Sequence, residues 1–192
     1  TILYQLMDGG KVLEKGEVHG SILSLSSLSV SPWSPSSPKL YTLRSTLVVN
    51  GKEMDTKEVE FGFRTIETRG KDLYLNGERI FLQGLNRHQA WPYIGYAASE
   101  RMQREDARIL KYELGCNIVR TSHYPQSQYF ISECDRIGLL VFTEIPGWQH
   151  IGDEEWKERA VDNTRDMVLQ YRNHPAVIIW GVRINESQDD DD

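Results

Sequence analysis

Four short apolar runs of this sequence each end in a polar cluster that contains a histidine or a carboxylate, side chains that can transfer protons. The polar clusters are Asn86-Arg87-His88, Arg120-Thr121-Ser122-His123, Thr143-Glu144 and Asn185-Glu186. A carboxyl group that is kept from water or placed beside a second carboxylate holds its proton near neutral pH, and can then act as a general acid. The pattern therefore indicates an enzyme.

The elements that must position these clusters follow a strand–helix alternation. Apolar strand interiors with polar ends are typical of a parallel α/β barrel, where chemistry collects at the carboxyl ends of the strands. Between the runs, the period of apolar residues changes to that of helices. The three helical stripes contain Met102, Ile109, Leu110 and Leu114, then Phe130, Cys134 and Ile137, then Trp156, Ala160, Thr164, Met167, Val168 and Tyr171. Three helices alternating with four strands predict a parallel sheet.

Local signals mark where these helices begin and end. Gly115 and Gly138 each follow the last apolar residue of a helix, where a left-handed cap is usually needed. Pro125 suits the first turn of the second helix, and the acidic run that opens with Asp153 places negative charge at the start of the third.

Residues 1 to about 64 are predicted to be β structure. Alternating residues from Tyr41 to Val49 precede an Asn50-Gly51 turn, and a return strand carries Val59, Phe61 and Phe63 at period two. The serine-rich stretch from Ser21 to Ser37 is either a linker or a strand with an irregularity at Ser26-Ser27. A second hairpin is predicted over residues 72–81, with Asn76-Gly77 as its turn.

The composition excludes several classes of function. A net charge of -6 leaves no basic surplus for phosphates, so nucleic acid is not an expected partner. With neither a cationic leader nor an apolar stretch of about 18 residues, no membrane association is expected. Cys116 and Cys134 fit reduced core thiols better than a disulfide, and we expect a cytoplasmic location.

Eight motifs in order along the chain carry a family resemblance. They are Trp33-Ser34-Pro35 with Pro38, Leu40 and Tyr41; Gly62-Phe63-Arg64; Leu75-Asn76-Gly77; Gly84-Leu85-Asn86-Arg87-His88; Arg120-Thr121-Ser122-His123-Tyr124-Pro125; Cys134-Asp135-Arg136-Ile137-Gly138-Leu139; Arg172-Asn173-His174-Pro175-Ala176-Val177; and Asn185-Glu186. Together they resemble glycoside hydrolase family 2, the group that contains β-galactosidases and β-glucuronidases. The resemblance implies a mixed fold: the end of an immunoglobulin-like β-sandwich in residues 1–64, then the first half of a (β/α)8 TIM barrel in residues 65–192. We expect the chain to be truncated at both ends.

The resemblance also implies a role for each site residue. Glu186 would be the general acid/base, and the nucleophile would lie on a later barrel strand beyond Asp192, so the isolated chain is expected to be inactive. Asn185 would bind the sugar 2-hydroxyl. The pocket would be lined by His88 and His123, with Trp148 as the candidate for stacking on a sugar ring. The remaining charged residues, which would hold these groups in place, are Arg87, Arg120 and Glu144.

Two departures from the family pattern bear on the chemistry. The acidic residue that often follows the Asn-Arg-His motif is replaced by Gln89. The positions at which some relatives bind magnesium are occupied by Trp148 and His150, and loss of the hard oxygen ligand leaves a poor magnesium site. We therefore expect no bound metal and no cofactor.

Several alternatives remain open from the sequence. The expected substrate of the parent protein is a β-glycoside, but the sequence does not separate a β-galactosidase from a β-glucuronidase. A second hypothesis is a carbohydrate-binding or scaffolding module without catalysis. The sheet edges of a half barrel could also pair between chains to give a homo-oligomer. Taken alone, His88 and His123 would more often be structural or exposed, and His174 is assigned to structure.

Overall fold

The computed structural model describes residues 1–20, 22–147 and 149–183. Its first sheet is antiparallel and consists of β1 (Ile2–Asp8), β2 (Lys11–Val18), β3 (Tyr41–Val49) and β4 (Lys52–Phe61), in the order β2-β1-β3-β4. The predicted Asn50-Gly51 hairpin is confirmed, because β3 and β4 pair on either side of it. Both turn residues have positive φ, 52° and 76°, as a two-residue turn matching strand twist requires.

The serine-rich stretch does not form the irregular strand that was one of the two expectations. Residues 22–32 have no strand assignment, and Ser27 has a φ of 60°. The backbone N–H of Ser31 donates to the hydroxyl of Tyr41 at 2.8 Å, so here the chain bonds to a side chain and not to a neighbouring strand. Serine hydroxyls offer the backbone further local partners, which weakens strand pairing.

A three-stranded antiparallel sheet follows, made of β5 (Ile66–Arg69), β6 (Asp72–Leu75) and β7 (Glu78–Ile80). Strands β6 and β7 form the predicted Asn76-Gly77 hairpin. Strand β5 escaped prediction, because its four residues contain a single apolar side chain and show no alternation that could be recognised.

The second half of the chain contains the predicted parallel sheet. Its strands are β8 (Gly84–Arg87), β9 (Ile118–Thr121), β10 (Leu140–Glu144) and β11 (Val177–Gly181), in the order β11-β10-β9-β8. Three helices connect them: α1 (Glu100–Arg108), continued by a π-helical turn (Ile109–Glu113), then α2 (Gln128–Ile137) and α3 (Glu154–Tyr171). All three strand pairings are parallel, which confirms the strand–helix alternation.

Most of the predicted helix boundaries are confirmed. Asp153 caps α3 by accepting from the backbone N–H of Trp156 at 3.0 Å, and Gly138 ends α2 in the left-handed conformation. The expectation for Pro125 is wrong, since α2 begins three residues later and is capped by Ser127. The intervening Gln126 cannot join the helix because both its amide side chain and its carbonyl oxygen are committed to tertiary hydrogen bonds.

The core lies on both faces of the parallel sheet. Its fully enclosed strand residues include Val119, Leu140, Val141 and Val177. Helix α3 covers the sheet with Met167 and Tyr171, and α1 packs beside α2. Cys116 and Cys134 are free and buried, as predicted, and burial raises the pKa of the Cys134 thiol well above its usual value.

Trp33 joins the antiparallel sheet to the parallel one. The ring is completely buried, and its Nε1–H donates to the carbonyl oxygen of Asp135 at 2.8 Å. Nearby, Arg64 donates to the carbonyl oxygens of Pro175 and Val177 at 2.9 and 2.6 Å. These bonds run from the loops of the first half of the chain to α2 and β11, so they fix one sheet against the other.

Candidate active site

The carboxyl ends of the parallel strands meet at one edge of the sheet. In the register of the ladder, Arg87 and Thr143 both lie opposite Thr121, and Glu144 lies opposite Gly181. Three of the four predicted polar clusters therefore come together here, since they lie at the carboxyl ends of β8, β9 and β10. The fourth, Asn185-Glu186, lies outside the residues that the structure describes.

Glu144 is the centre of the charged groups at this edge. Its side chain has no solvent exposure, and one carboxylate oxygen accepts a hydrogen bond from Nε of Arg120. The other oxygen is 3.0 Å from Nδ1 of His123, which is itself buried. A buried carboxylate is costly unless it is paired and hydrogen-bonded, and here both oxygens have partners. Glu144 thereby fixes the orientation of the His123 ring.

Glu144 lies opposite Gly181 of β11, and the missing side chain at position 181 leaves room for the carboxylate. A Cβ atom added at Gly181 would come within 2.8 Å of Cγ of Glu144 and 2.9 Å of the Phe142 ring. Any larger residue would have to displace the carboxylate from its two partners. Glycine at position 181 is therefore a local requirement of the buried ion pair.

Arg87 anchors the end of β8 to the two neighbouring helices. Its guanidinium donates to Asp106 and Gln103 of α1 and to Oε1 of Gln126 at 2.6 Å, and it stacks over the Phe130 ring at 4.0 Å. Burial lowers the pKa of Arg87, and its hydrogen bond and ion pair with Asp106 oppose that shift. Because all these partners are fixed in helices or in the core, Arg87 is a rigid support for the residues that follow it.

His88 is exposed at the mouth of the sheet edge and contacts its neighbours through its ring. Its centroid lies 5.8 Å from that of His123 and 5.9 Å from that of Tyr124, whose hydroxyl is 3.4 Å from Nδ1 of His88. The same hydroxyl accepts from the backbone N–H of Gln89 at 3.2 Å. Burial raises the pKa of Tyr124, so its hydroxyl stays protonated and able to donate across the neutral range.

The predicted site residues thus fall into two groups. His88, His123, Arg87, Arg120 and Glu144 lie together, and the three charged residues contact or support the ends of the strands. Glu186, Asn185 and Trp148 lie outside the described residues. Their assigned roles stay predictions.

Two further histidines are occupied elsewhere. His150 packs its ring against Trp156 at 5.9 Å. His174 donates to or accepts from Asp135, with Nδ1 and Oδ2 2.5 Å apart, which agrees with the structural role assigned to it. Burial raises the pKa of Asp135, and the hydrogen bond with His174 opposes only part of that rise. Neither histidine lies with the strand-end cluster.

Sequence reasoning missed three residues that hold the site together: Gln126, Asp106 and Tyr124. Gln126 bonds both the side chain and the carbonyl oxygen of Arg87, the latter at 2.5 Å. Tyr124 and Gln126 lie just after His123, so their place in the chain was a usable signal. Asp106 lies on the polar face of a helix and carried no signal of its own.

Two kinds of structural feature are absent from the described residues. None of the helices there has the length and apolar character needed to cross a bilayer. Within residues 1–20, 22–147 and 149–183, no group of three or more His, Cys, Asp or Glu side chains is arranged to hold a metal ion. The expectation of a metal-free site stays a prediction.

Family models match nearly the whole chain. The model described as "Glycosyl hydrolases family 2, TIM barrel domain" matches residues 66–192, and "Glycosyl hydrolases family 2" matches residues 5–64. The two matches agree with the mixed fold, a sandwich-domain part followed by a TIM-barrel part.

Individual relatives point the same way. A β-galactosidase of Thermoanaerobacter pseudethanolicus is 56% identical over 162 residues, which are 83% of this chain and 22% of that protein. A putative β-glucuronidase of Formosa agariphila is 36% identical over 152 residues, 78% of this chain and 18% of that protein. The chain spans about a fifth of the length of these curated relatives.

Among solved structures, the apo structure of β-glucuronidase 3 from Bacteroides uniformis is similar over 94% of this chain and 23% of that one. Its TM-score is 0.86 and its sequence identity 36%. The similarity covers the sandwich-domain part and the barrel part together, so it includes their relative arrangement as well as the fold of each.

Proposed function

The chain belongs to glycosyl hydrolases family 2, and we propose that the protein of which it forms part is a retaining β-glycosidase. One observation carries the proposal: a fully buried carboxylate, Glu144, holds Arg120 and His123 at the aligned ends of parallel strands. Buried charges cost free energy, and clusters of buried charged groups in a cleft are typical of functional sites. Supporting this, the relatives that match the chain are named β-galactosidases and β-glucuronidases.

Within this proposal, Glu186 protonates the glycosidic oxygen as the leaving group departs, and then takes a proton from the attacking water. Asn185 binds the sugar 2-hydroxyl, a hydrogen bond that strengthens as positive charge develops on the ring. His88 and His123 contact ring hydroxyls, and Trp148 stacks on the sugar. A nucleophilic carboxylate on a later strand, outside residues 1–192, forms the covalent intermediate.

For the substrate, we propose a β-galactoside in preference to a β-glucuronide. The support is the difference in identity between the β-galactosidase of Thermoanaerobacter pseudethanolicus, at 56%, and the putative β-glucuronidase of Formosa agariphila, at 36%. A second β-galactosidase, from Thermoanaerobacterium thermosulfurigenes, is 54% identical.

We also propose the finer domain assignment and setting. Residues 1–64 are the end of an immunoglobulin-like sandwich, and residues 65–192 begin the (β/α)8 barrel; support comes from the division between the matched ranges. The free buried thiols suit a reducing, cytoplasmic compartment. Pairing of edge strands into a homo-oligomer is tested by sedimentation at several concentrations, and a monomer at high concentration would contradict it.

The role of Glu186 is tested in the full-length protein with two aryl β-galactosides that share a sugar and differ in the leaving group. Glu186→Gln is expected to lower kcat/KM by about 100-fold or more for the phenyl glycoside, whose leaving group needs a proton. Dinitrophenolate leaves without one, so its glycoside should lose far less in the first step. Glu158→Gln, on the exposed face of α3, is the matched control. Equal losses with both glycosides would contradict the assignment.

The isolated chain provides a second test. Because the nucleophile lies elsewhere in this proposal, residues 1–192 should show no turnover of any aryl β-glycoside. Hydrolysis by the isolated chain that disappears on Glu186→Gln would refute this part of the proposal.

A further inference from the structure

An arginine from the first half of the chain binds the beginning of strand β11. Arg64 donates from Nε to the carbonyl oxygen of Pro175 at 2.9 Å and from Nη2 to that of Val177 at 2.6 Å. Burial lowers the pKa of Arg64, and the charge of Asp135 opposes that shift. A guanidinium is planar and its donors have fixed directions, so two bonds from one arginine fix the spacing of the two carbonyl oxygens.

The backbone between these two carbonyl groups is bonded on its other sides as well. The N–H of Ala176 donates to Oδ1 of Asp135 at 3.0 Å, and the Ala176 carbonyl oxygen accepts from the N–H of Val141 at 2.8 Å. Gly62, two residues before the arginine, allows close approach, because a Cβ atom there would lie 3.0 Å from Cγ of Pro175. The first residues of β11 are therefore held in one position.

Strand β11 contains one more residue than the stretch of β10 that pairs with it. At one end, the N–H of Val141 donates to the carbonyl oxygen of Ala176. At the other end, the N–H of Ile145 donates to that of Gly181 at 3.0 Å. The chain thus advances from 141 to 145 in β10 and from 176 to 181 in β11. Such bulges are rare in parallel pairs, and bulges collect beside active sites.

The extra residue determines which side chain faces Glu144. Val141 lies opposite Val177, and the register shifts directly after this pair. An unbroken ladder from the same pair would place Trp180 opposite Glu144. The observed register places Gly181 there, where even a Cβ atom would come within 2.8 Å of Cγ of Glu144. An indole side chain at this position would keep the carboxylate from its two partners, so the buried cluster depends on the register of β11.

We propose that Arg64 is a positioning residue of the active site, which holds the beginning of β11 in the register that places Gly181 opposite Glu144. This inference rests on the proposed function, in which the acid/base Glu186 follows β11 in the sequence. Val177 is the last residue before the shift, so the bond from Arg64 stabilises the backbone at the point where the extra residue enters. Arg64 thereby acts on the reaction without touching the substrate.

The first test measures the register itself, by amide hydrogen exchange resolved to single residues in the full-length protein. Arg64→Met keeps an unbranched side chain and removes both hydrogen bonds. The amide of Ile145, at the far end of β10, should then exchange about tenfold faster or more. The amide of Leu140 donates to the carbonyl oxygen of Asn117 at 2.9 Å, on the β9 side, and should keep its protection. Unchanged exchange at Ile145 would overturn the inference, whatever the activity of the protein.

The second test measures the consequence for the reaction, with the phenyl and dinitrophenyl β-galactosides. Loss of the register displaces the end of β11, and a displaced proton donor matters only for a leaving group that needs a proton. Arg64→Met should therefore lower kcat/KM for the phenyl glycoside by about tenfold or more, and for the dinitrophenyl glycoside by less than about threefold. A merely structural role would lower both values by the same factor.

Lys111→Met is the matched control, because Lys111 also joins the two halves of the chain through two carbonyl oxygens. Its ammonium donates to Pro35 at 3.2 Å and to Gly138, at the end of α2, at 2.9 Å. The control should change neither the exchange of Ile145 nor the ratio of the two kcat/KM values.

Equal losses with both glycosides in Arg64→Met, or the same change of ratio in Lys111→Met, would overturn this inference alone. A wild-type protein that cleaves neither glycoside would overturn the proposed function and, with it, the role of Arg64 in the reaction.

Discussion

The two halves of the chain differ in whether they bury polar and charged side chains. The buried polar and charged residues of the described structure all lie between positions 87 and 144, and residues 1–20 and 22–64 contribute none. They are Arg87, Gln103, Thr121, Ser122, His123, Gln126, Glu133, Asp135, Thr143 and Glu144. In the antiparallel sheet, ion pairs such as Arg44–Glu58 stay about half exposed. The parallel sheet instead encloses its charges.

Exposed and buried ion pairs differ in their free-energy cost. An exposed ion pair contributes little to stability and can be exchanged without much consequence. A buried one costs several kcal/mol in desolvation, which only well-placed partners offset. Asp135 and His174 form a buried pair at the amino end of β11, but the cluster of Glu144, Arg120 and His123 lies at the carboxyl ends of the strands. We therefore propose that the antiparallel sheet serves as a frame and that the parallel sheet carries the site.

The largest effect is expected at Glu144. Glu144→Ala removes the fully buried carboxylate that binds both Arg120 and His123, so the free energy of unfolding should fall by about 3–5 kcal/mol. Denaturant titration of the full-length protein, followed by a probe in the barrel, measures it. A cost below about 1 kcal/mol would mean that Glu144 is not the buried, paired carboxylate described here.

Trp33 tests the connection between the two halves. Trp33→Phe keeps an aromatic ring but loses the hydrogen bond to the carbonyl oxygen of Asp135 and part of the buried volume, at an expected cost of about 1–3 kcal/mol. If the halves depend on this contact, the calorimetric unfolding transition of the variant should broaden or divide into two. A single unchanged transition would contradict the anchoring role.

The buried Tyr171 side chain makes the free energy of unfolding depend on pH. Its hydroxyl donates to the carbonyl oxygen of Gln126 at 2.5 Å, and burial raises the pKa of Tyr171 to about 12. The folded state therefore favours the neutral phenol. Its contribution is complete below the unfolded pKa near 10 and is lost as the pH rises through about 12.

Tyr171→Phe should accordingly lower the free energy of unfolding by about 1–2 kcal/mol at neutral pH, because it leaves a buried carbonyl oxygen unpaired. The variant should also lose less stability than wild type between pH 10 and pH 12. Unfolding curves across that range provide the check, and parallel curves for the two proteins would count against the assignment.

The smallest effect is expected at Glu58, the matched counterpart of Glu144 in the antiparallel sheet. Glu58 binds Arg44 at 2.6 Å, and both side chains are nearly half exposed. Glu58→Ala should cost less than about 1 kcal/mol, and less still in high salt. A loss equal to that of Glu144→Ala would remove the contrast between the two sheets.

Much of this fold could be predicted because its signals are local. Apolar runs indicated three of the four parallel strands, helical periodicity indicated the three helices, and the Asn-Gly turns indicated both hairpins. The run Ile80-Phe81-Leu82, expected as the first parallel strand, precedes β8 and gives Ile80 to β7. The polar strand ends indicated that His88, His123 and Glu144 would share one edge, since parallel strands end on the same side. None of these inferences required knowledge of a distant contact.

The remaining features depend on partners far away in sequence. Gln126 stays out of α2 because it bonds Arg87 and Tyr171, which lie 39 and 45 residues away. The stretch at residues 22–32 alternates like a strand, yet Ser31 bonds the Tyr41 hydroxyl in place of a ladder. The left-handed backbone conformation of Tyr93 could not be predicted from residue propensities, because bulky residues such as tyrosine rarely adopt it.

The most direct test of the account is to trap the covalent intermediate of the full-length protein with a 2-deoxy-2-fluoro β-galactoside and to locate the label by mass spectrometry. The electron-withdrawing fluorine slows both steps, and a good leaving group lets the labelled enzyme accumulate. We expect one sugar on a carboxylate outside residues 1–192, with Glu186 unmodified. A label on Glu144 or Glu186, or active protein that never accumulates an adduct, would contradict a retaining site built on these strand ends.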